Sequence, residues 1–209
     1  MNRRTLLTTA ATTCVVGVSG CQRLRGLTTD DTGRRVVELH DQDTVADSDD
    51  VTISVELLEE TVTEAHPVHV QITTTNEGPD RALSIGSDRC GLFNRSHGGS
   101  DDPAGLWLYR PEAVEGLDRE ADRWERDKSR FSDRSYLAYG CGAFEYTSGE
   151  SVRTEYEVWD DYTESGYFEP GTYRWEREIQ LWDDLDAEGT EQPTTTFQWG
   201  FSLTVKDEE

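Results

Sequence analysis

Toward its C-terminus the chain alternates apolar and polar or small residues almost without interruption. Phe197, Trp199, Phe201, Leu203 and Val205 are separated by Gln198, Gly200, Ser202 and Thr204. A period of two puts the apolar set on one face of an extended strand, whereas the turn of a helix would scatter it around the axis. The same period recurs at Val51, Ile53, Val55 and Leu57; at Val68, Val70 and Ile72; at Val152, Thr154, Tyr156 and Val158; and at Tyr173, Trp175, Ile179 and Leu181. Ala82 to Ile85 and Leu106 to Tyr109 are shorter strand candidates. Turn residues stand between the runs, at Asn76-Glu77-Gly78-Pro79, Ser148-Gly149, Pro170-Gly171 and Gly189.

About seven short strands with turns between them, and no alternation of strand with helix, point to an all-β fold, an immunoglobulin-like antiparallel β-sandwich. A barrel is the second choice. One stretch departs from the period. Leu117, Ala121, Trp124 and Phe131 fall at helical spacing, and Glu115 with Arg119, and Asp122 with Arg126, stand one helical turn apart. This predicts one short helical insert over 116–128. Residues 110–134 hold eight acidic and seven basic side chains and are nearly neutral. Arg119, Arg123, Trp124 and Arg126 are therefore the candidate partner surface; the plainer reading is an insert that covers one end of the sandwich.

The first residues carry an address. Arg3-Arg4 precede a short, weakly apolar run that ends in Val18-Ser19-Gly20-Cys21. The run is shorter than a membrane-spanning helix needs and has the flanks of a signal peptide. The paired arginines resemble a twin-arginine export signal, and Val18 to Cys21 resembles a lipobox. The resemblance implies a signal peptide over 1–20, lipid attachment on Cys21, and a protein held on the extracytoplasmic face of the cell membrane. Residues 21–50, rich in Asp and containing Gly26 and Gly33, read as an acidic tether, with Val36-Val37 and Leu39 allowing one short strand near its end. The sandwich domain is expected over 51–209.

The formal net charge is -23, and loss of Arg3 and Arg4 with the signal takes it to -25. Such a chain does not suit nucleic acid as a partner, because phosphate contacts need clustered Lys and Arg. Disorder is equally unsuited, since six Trp, eight Tyr and six Phe provide for a packed core. Lysine occurs only at Lys128 and Lys206. Acid-rich, lysine-poor surfaces resemble those of extreme halophiles, where concentrated salt screens the self-repulsion. Of the four cysteines, Cys14 lies in the signal and Cys21 is the lipid site. That leaves Cys90 and Cys141 as one pair. In an oxidising compartment such a pair reads as a disulfide, with two buried free thiols as the alternative.

Ser148-Gly149-Glu150-Ser151, Tyr156-Glu157-Val158-Trp159-Asp160 and Glu169-Pro170-Gly171-Thr172-Tyr173 together resemble the bacterial intracellular-proteinase-inhibitor type of immunoglobulin-like domain. The layout is also similar to that of many halophilic-archaeal lipoproteins. These are turn and core positions, so the resemblance bears on the fold more than on inhibition.

Sequence signatures of catalysis are missing: there is no G-x-S-x-G elbow, no H-E-x-x-H helix and no Gly-rich phosphate loop. His40, His66, His69 and His97 are scattered. The chain reads as a non-enzyme without cofactor. Asp184 to Gly189 resembles the first half of a calcium loop, but Thr195 stands where the bidentate Glu should be, so an acidic turn is preferred and no metal is expected. Asn94-Arg95-Ser96 is a sequon and makes Asn94 a candidate glycosylation site. The expected role is binding or structural support at the cell surface, with a surface or membrane protein as the candidate partner. The alternative is inhibition of an extracellular protease through loops 91–104 or 160–170.

Overall fold

The alternating stretches form strands, and their apolar faces close on one another as two antiparallel sheets. The structure, a computed structural model, describes residues 34–93, 97–114, 119–120, 122–127, 141–185 and 192–208. The chain divides after Thr32, and the described residues all belong to the unit Gly33–Glu209. The strands are β1 (Arg35–Gln42), β2 (Val51–Glu59), β3 (Thr61–Val62), β4 (Val68–Asn76), β5 (Arg81–Leu83), β6 (Leu106–Tyr109), β7 (Phe144–Tyr146), β8 (Ser151–Asp160), β9 (Gly171–Trp182) and β10 (Thr195–Asp207). One sheet runs β3-β1-β10-β9-β5-β7 and the other β2-β4-β8-β6. The orders β2-β4-β8-β6 and β10-β9-β5 correspond to A-B-E-D and G-F-C of the immunoglobulin fold. The chain is an all-β sandwich of that kind.

β10 and β9 form its spine, paired without a register shift from Thr195↔Leu181 to Val205↔Gly171. Trp199, Phe201, Leu203 and Val205 face Tyr173, Trp175, Ile179 and Leu181 from the same sheet, and Val51, Ile53, Val55, Val68, Val70, Ile72, Tyr156 and Val158 close the core from the other. Trp175 stacks on Phe201 at 5.2 Å, and Phe93 meets Phe201 edge-on at 5.7 Å. Burying one such aromatic side chain stabilises the fold by about 1.5–3 kcal/mol. The alternation admits one charged residue to the inner face of β9. Arg177 lies over the Phe93 ring at 5.3 Å and donates to the carbonyls of His97 and Gly99 and to the Asp101 carboxylate. It thereby binds the long β5–β6 connection to the sandwich.

Two expectations need correction. The acidic tether over 21–50 ends earlier, because β1 is a strand of the larger sheet, paired with β10 from Arg35↔Asp207 to Gln42↔Phe201. The acidic residues after it are structured too. Asp43 accepts from Arg174 and its carbonyl accepts the Trp199 indole N–H, while Asp47–Asp49 makes a 3-10 turn. The described residues of the helix predicted over 116–128 are not helical either. The short helix of this insert, α1, spans Pro111–Val114, where Pro111 suits a first turn. Farther on, Arg119 and Arg126 pair as an antiparallel bridge, Glu120 N–H donates to Glu125 O at 2.9 Å, and Asp160 N–H donates to Trp124 O at 2.8 Å. With backbone groups taken by the bridge and by the end of β8, tertiary pairing overrides a weak local helical preference. Residues 115–118, 121 and 128–140 lie outside the described set.

Candidate functional site

The outer face of the smaller sheet is polar over β2 and β4, as in a simple sandwich, but aromatic along β6 and the end of β8. Trp107 and Tyr109 of β6 and Trp159 of β8 point outward, Trp107 opposite Trp159 in the register, and all are buried. The segment Asp122–Asp127 covers them. Trp124 meets Trp159 edge-on at 5.5 Å, its indole N–H donates to Thr63 O at 2.6 Å, and its backbone N–H donates to the Tyr167 hydroxyl at 3.1 Å. These contacts make a second, smaller hydrophobic layer outside the sheet.

The four residues singled out as a partner surface are brought together here, with unequal exposure. Arg119 lies 4.0 Å above the Trp124 ring, and its guanidinium donates to Arg123 O and Glu64 O. Arg123 lies over Tyr167 at 4.9 Å, and Arg126 over Tyr162 at 5.6 Å. A cation over an aromatic face is worth about 0.5–1 kcal/mol when exposed and more when desolvated. Arg126 is only 4% exposed, and Glu125, Asp160 and Asp161 are buried as well. It therefore belongs to the layer, whereas Arg119, Arg123 and Trp124 are half-buried and reach the surface.

Cys90 and Cys141 are joined by a disulfide, with Cα atoms 5.6 Å apart. Cys90 ends a 3-10 turn (Asp88–Cys90) early in the β5–β6 connection, and Cys141 precedes β7. Gly91 has an ordinary φ of -60°, and its contribution is space rather than a bend. A Cβ there would come within 2.8 Å of the Tyr156 hydroxyl and 3.0 Å of Thr154 Cγ2. That close approach lets the Tyr156 hydroxyl accept from Phe93 N–H at 3.1 Å, so that the connection packs into the core.

The loops considered as inhibitory differ. Residues 97–101 are tied down by Arg177, by the Trp175 indole N–H to Gly98 O at 3.0 Å, and by Ser100 N–H to Leu106 O at 2.9 Å. Thr163 to Gly166 are exposed on a braced base, where Asp161 accepts from Thr163 and Asp160 accepts from Phe168 N–H. His66 and His69 serve separate local contacts, one with Pro67 O and one with Glu157 across β4–β8. Cys21 and Asn94 lie outside the described residues, as does most of the calcium-like stretch 184–189. Among the described residues no group of three or more His, Cys, Asp or Glu could hold a metal ion. No described helix is long and apolar enough to cross a membrane.

A feature that periodicity does not disclose is a cleft of about 340 Å³ lined by Gln42, Asp43, Thr44, Val45, Asp47, Asp50, Val51, Thr52, Ile53 and Glu77. It opens where β1 and β2 part company. Near their far ends Val37 N–H donates to Glu60 O at 2.7 Å; beside the cleft the Gln42 side chain spans the gap, accepting from Val55 N–H at 2.9 Å. The Asp43 carboxylate at its rim pairs with Arg174, which Glu176 and Asp43 together hold in its charged form. No protein-family model, curated protein or solved structure matches this chain.

Proposed function

We propose that the chain is a cell-surface lipoprotein, anchored through Cys21 on the extracytoplasmic face of the membrane, whose sandwich binds a partner or gives structural support without catalysis. The observation that carries this reading is the Cys90–Cys141 disulfide, since such bonds persist in oxidising compartments and suit an exported chain. The half-buried arginines and Trp124 of the insert support a binding role, because Arg and Trp are favoured at interfaces. Cys21→Ser tests the anchor. A dual-chain lipid holds a protein stably on a membrane, so the native protein should stay with membranes through salt washes and the variant should leave them. Equal retention of the two would overturn the reading.

Inhibition of an extracellular protease has one observation in its favour, the exposed and braced turn at 163–166. A substrate-like loop needs that combination of access and rigidity. Replacing Glu164-Ser165 by Gly-Gly should abolish any inhibition by the purified protein while leaving its fold intact. Absence of inhibition across serine and cysteine protease classes removes this alternative.

A further inference from the structure

An edge strand presents unpaired backbone groups, and most edges of this sandwich are short or covered. β3 and β7 have two and three residues, and the free side of β6 is closed by Leu108 N–H to Gly98 O at 2.8 Å and Ser100 N–H to Leu106 O at 2.9 Å. β2 is different, with nine residues at the edge of the smaller sheet. Its pairing with β4 turns Thr52, Ser54 and Glu56 backbone groups inward, because the Val55 N–H points the other way, to Gln42. Backbone direction alternates along a strand, so the N–H and C=O of Val51 and Ile53 also point to the free side. Among the described residues nothing pairs with them there, and both residues line the cleft.

We propose that this cleft is a docking groove for an extended, basic segment of another polypeptide, which adds to β2 as a fifth strand of the smaller sheet. Main-chain hydrogen bonds to Val51 and Ile53 supply the affinity, as in other cases of strand addition. The surroundings choose the occupant. Asp47, Asp50 and Glu77 are exposed on the rim, while Val45, Val51 and Ile53 make the floor. Alternate residues of an added strand face opposite sides, so the fitting segment carries apolar residues on one face and Lys or Arg on the other. A second copy of this chain is a poor occupant, because its own β2 brings Glu56 and Glu59 against the same acidic rim. Gln42 acts as a stop, holding the Val55 N–H that would otherwise extend the register.

The inference rests on the binding reading above, and its failure would leave the anchor on Cys21 and the Arg119 surface untouched. The test uses the full chain in detergent and a short blocked peptide of alternating valine and lysine. Controls are the valine–glutamate peptide and a valine–lysine peptide interrupted by proline. Bound peptide should slow amide exchange at Val51 and Ile53 by about tenfold or more while leaving Ser54, already paired with β4, unchanged. Neither control should do so. Asp47→Asn, Asp50→Asn and Glu77→Gln combined should weaken binding about tenfold, as expected for three exposed charge pairs; Asn tolerates the left-handed backbone of Asp50 (φ 47°). Gln42→Ala should extend the protection to Val55. Peptide binding that leaves Ile53 exchange unchanged would mean attraction to a charged surface only and would overturn the proposal. So would unchanged affinity in the triple variant, or no binding at millimolar peptide.

Discussion

Cys90→Ser, or reduction of the native protein, is expected to lower the unfolding free energy by about 4 kcal/mol. The bridge spans 51 residues of sequence, and in the chain-entropy model closing a loop of that length restricts the unfolded ensemble by about this amount. Against a total of about 5–15 kcal/mol for a typical domain, the loss is large. It falls on a particular region, since the closed loop contains β6, α1 and Asp122–Asp127. Trp124 anchors the middle of that loop through its contacts with Trp159, Thr63 and Tyr167. Without the bridge the layer over Trp107 and Trp159 keeps those contacts, while the start of the β5–β6 connection loses its cross-link to the segment before β7. Urea unfolding of the oxidised protein, the reduced protein and the variant measures the effect. The midpoint should drop together in the last two, with a larger slope because the unlinked chain exposes more surface. Superimposable curves would show that the bridge has no structural role.

The sandwich is legible in the sequence because its long strands bury one apolar face along most of their length, even where β8 and β10 have the other face covered too. At Tyr173, Trp175, Ile179 and Leu181 pattern and burial coincide, whereas at Trp199 to Val205 the apolar set is buried together with the intervening Gly200 and Ser202. β3 and β7 are too short to produce a period at all. β1 has one, in Val37 and Leu39, but the acidic residues beyond it imitate a tether. The helical spacing through Trp124 is a coincidence of residues that reach different partners, Thr63 and Trp159 for Trp124 and Glu64 for Arg119. The near-neutral charge of 110–134 has a structural counterpart, since Trp124 packs on the aromatic outer face of β6 and β8 and an insert so placed is less acidic than a solvated one. The open edge of β2 had no sequence signal. Alternation reports which face of a strand is buried and is silent on which of its edges is paired.

Between pH 10 and 12 the fold is expected to lose stability steeply, and Tyr156 is the main reason. Its side chain is fully buried, and that burial pushes the hydroxyl up from the ordinary 10.0 to about 12, with the hydrogen bond from Phe93 and the charge of Arg110 opposing the shift. Below pH 10 the folded and unfolded chains both hold the proton, and the group makes no pH-dependent contribution. Above it the unfolded chain releases the proton while the folded chain does not. Unfolding is then favoured by about 1.4 kcal/mol for each pH unit, or about 3 kcal/mol across the window. Tyr146 moves in the same direction, through burial first and the Glu150 charge second, as do Tyr167 and Tyr173 through burial, so the observed slope should exceed that of one tyrosine. Tyr156→Phe separates this effect from general alkaline damage. Phenylalanine cannot accept from the buried Phe93 N–H, which costs about 1–3 kcal/mol at neutral pH. It also has no proton to lose, so the stability difference between the native protein and the variant should shrink as the pH rises from 10 and vanish or reverse by 12. Urea midpoints measured across that range decide it. Parallel curves would mean that the Tyr156 hydroxyl does not control the alkaline limit of this fold.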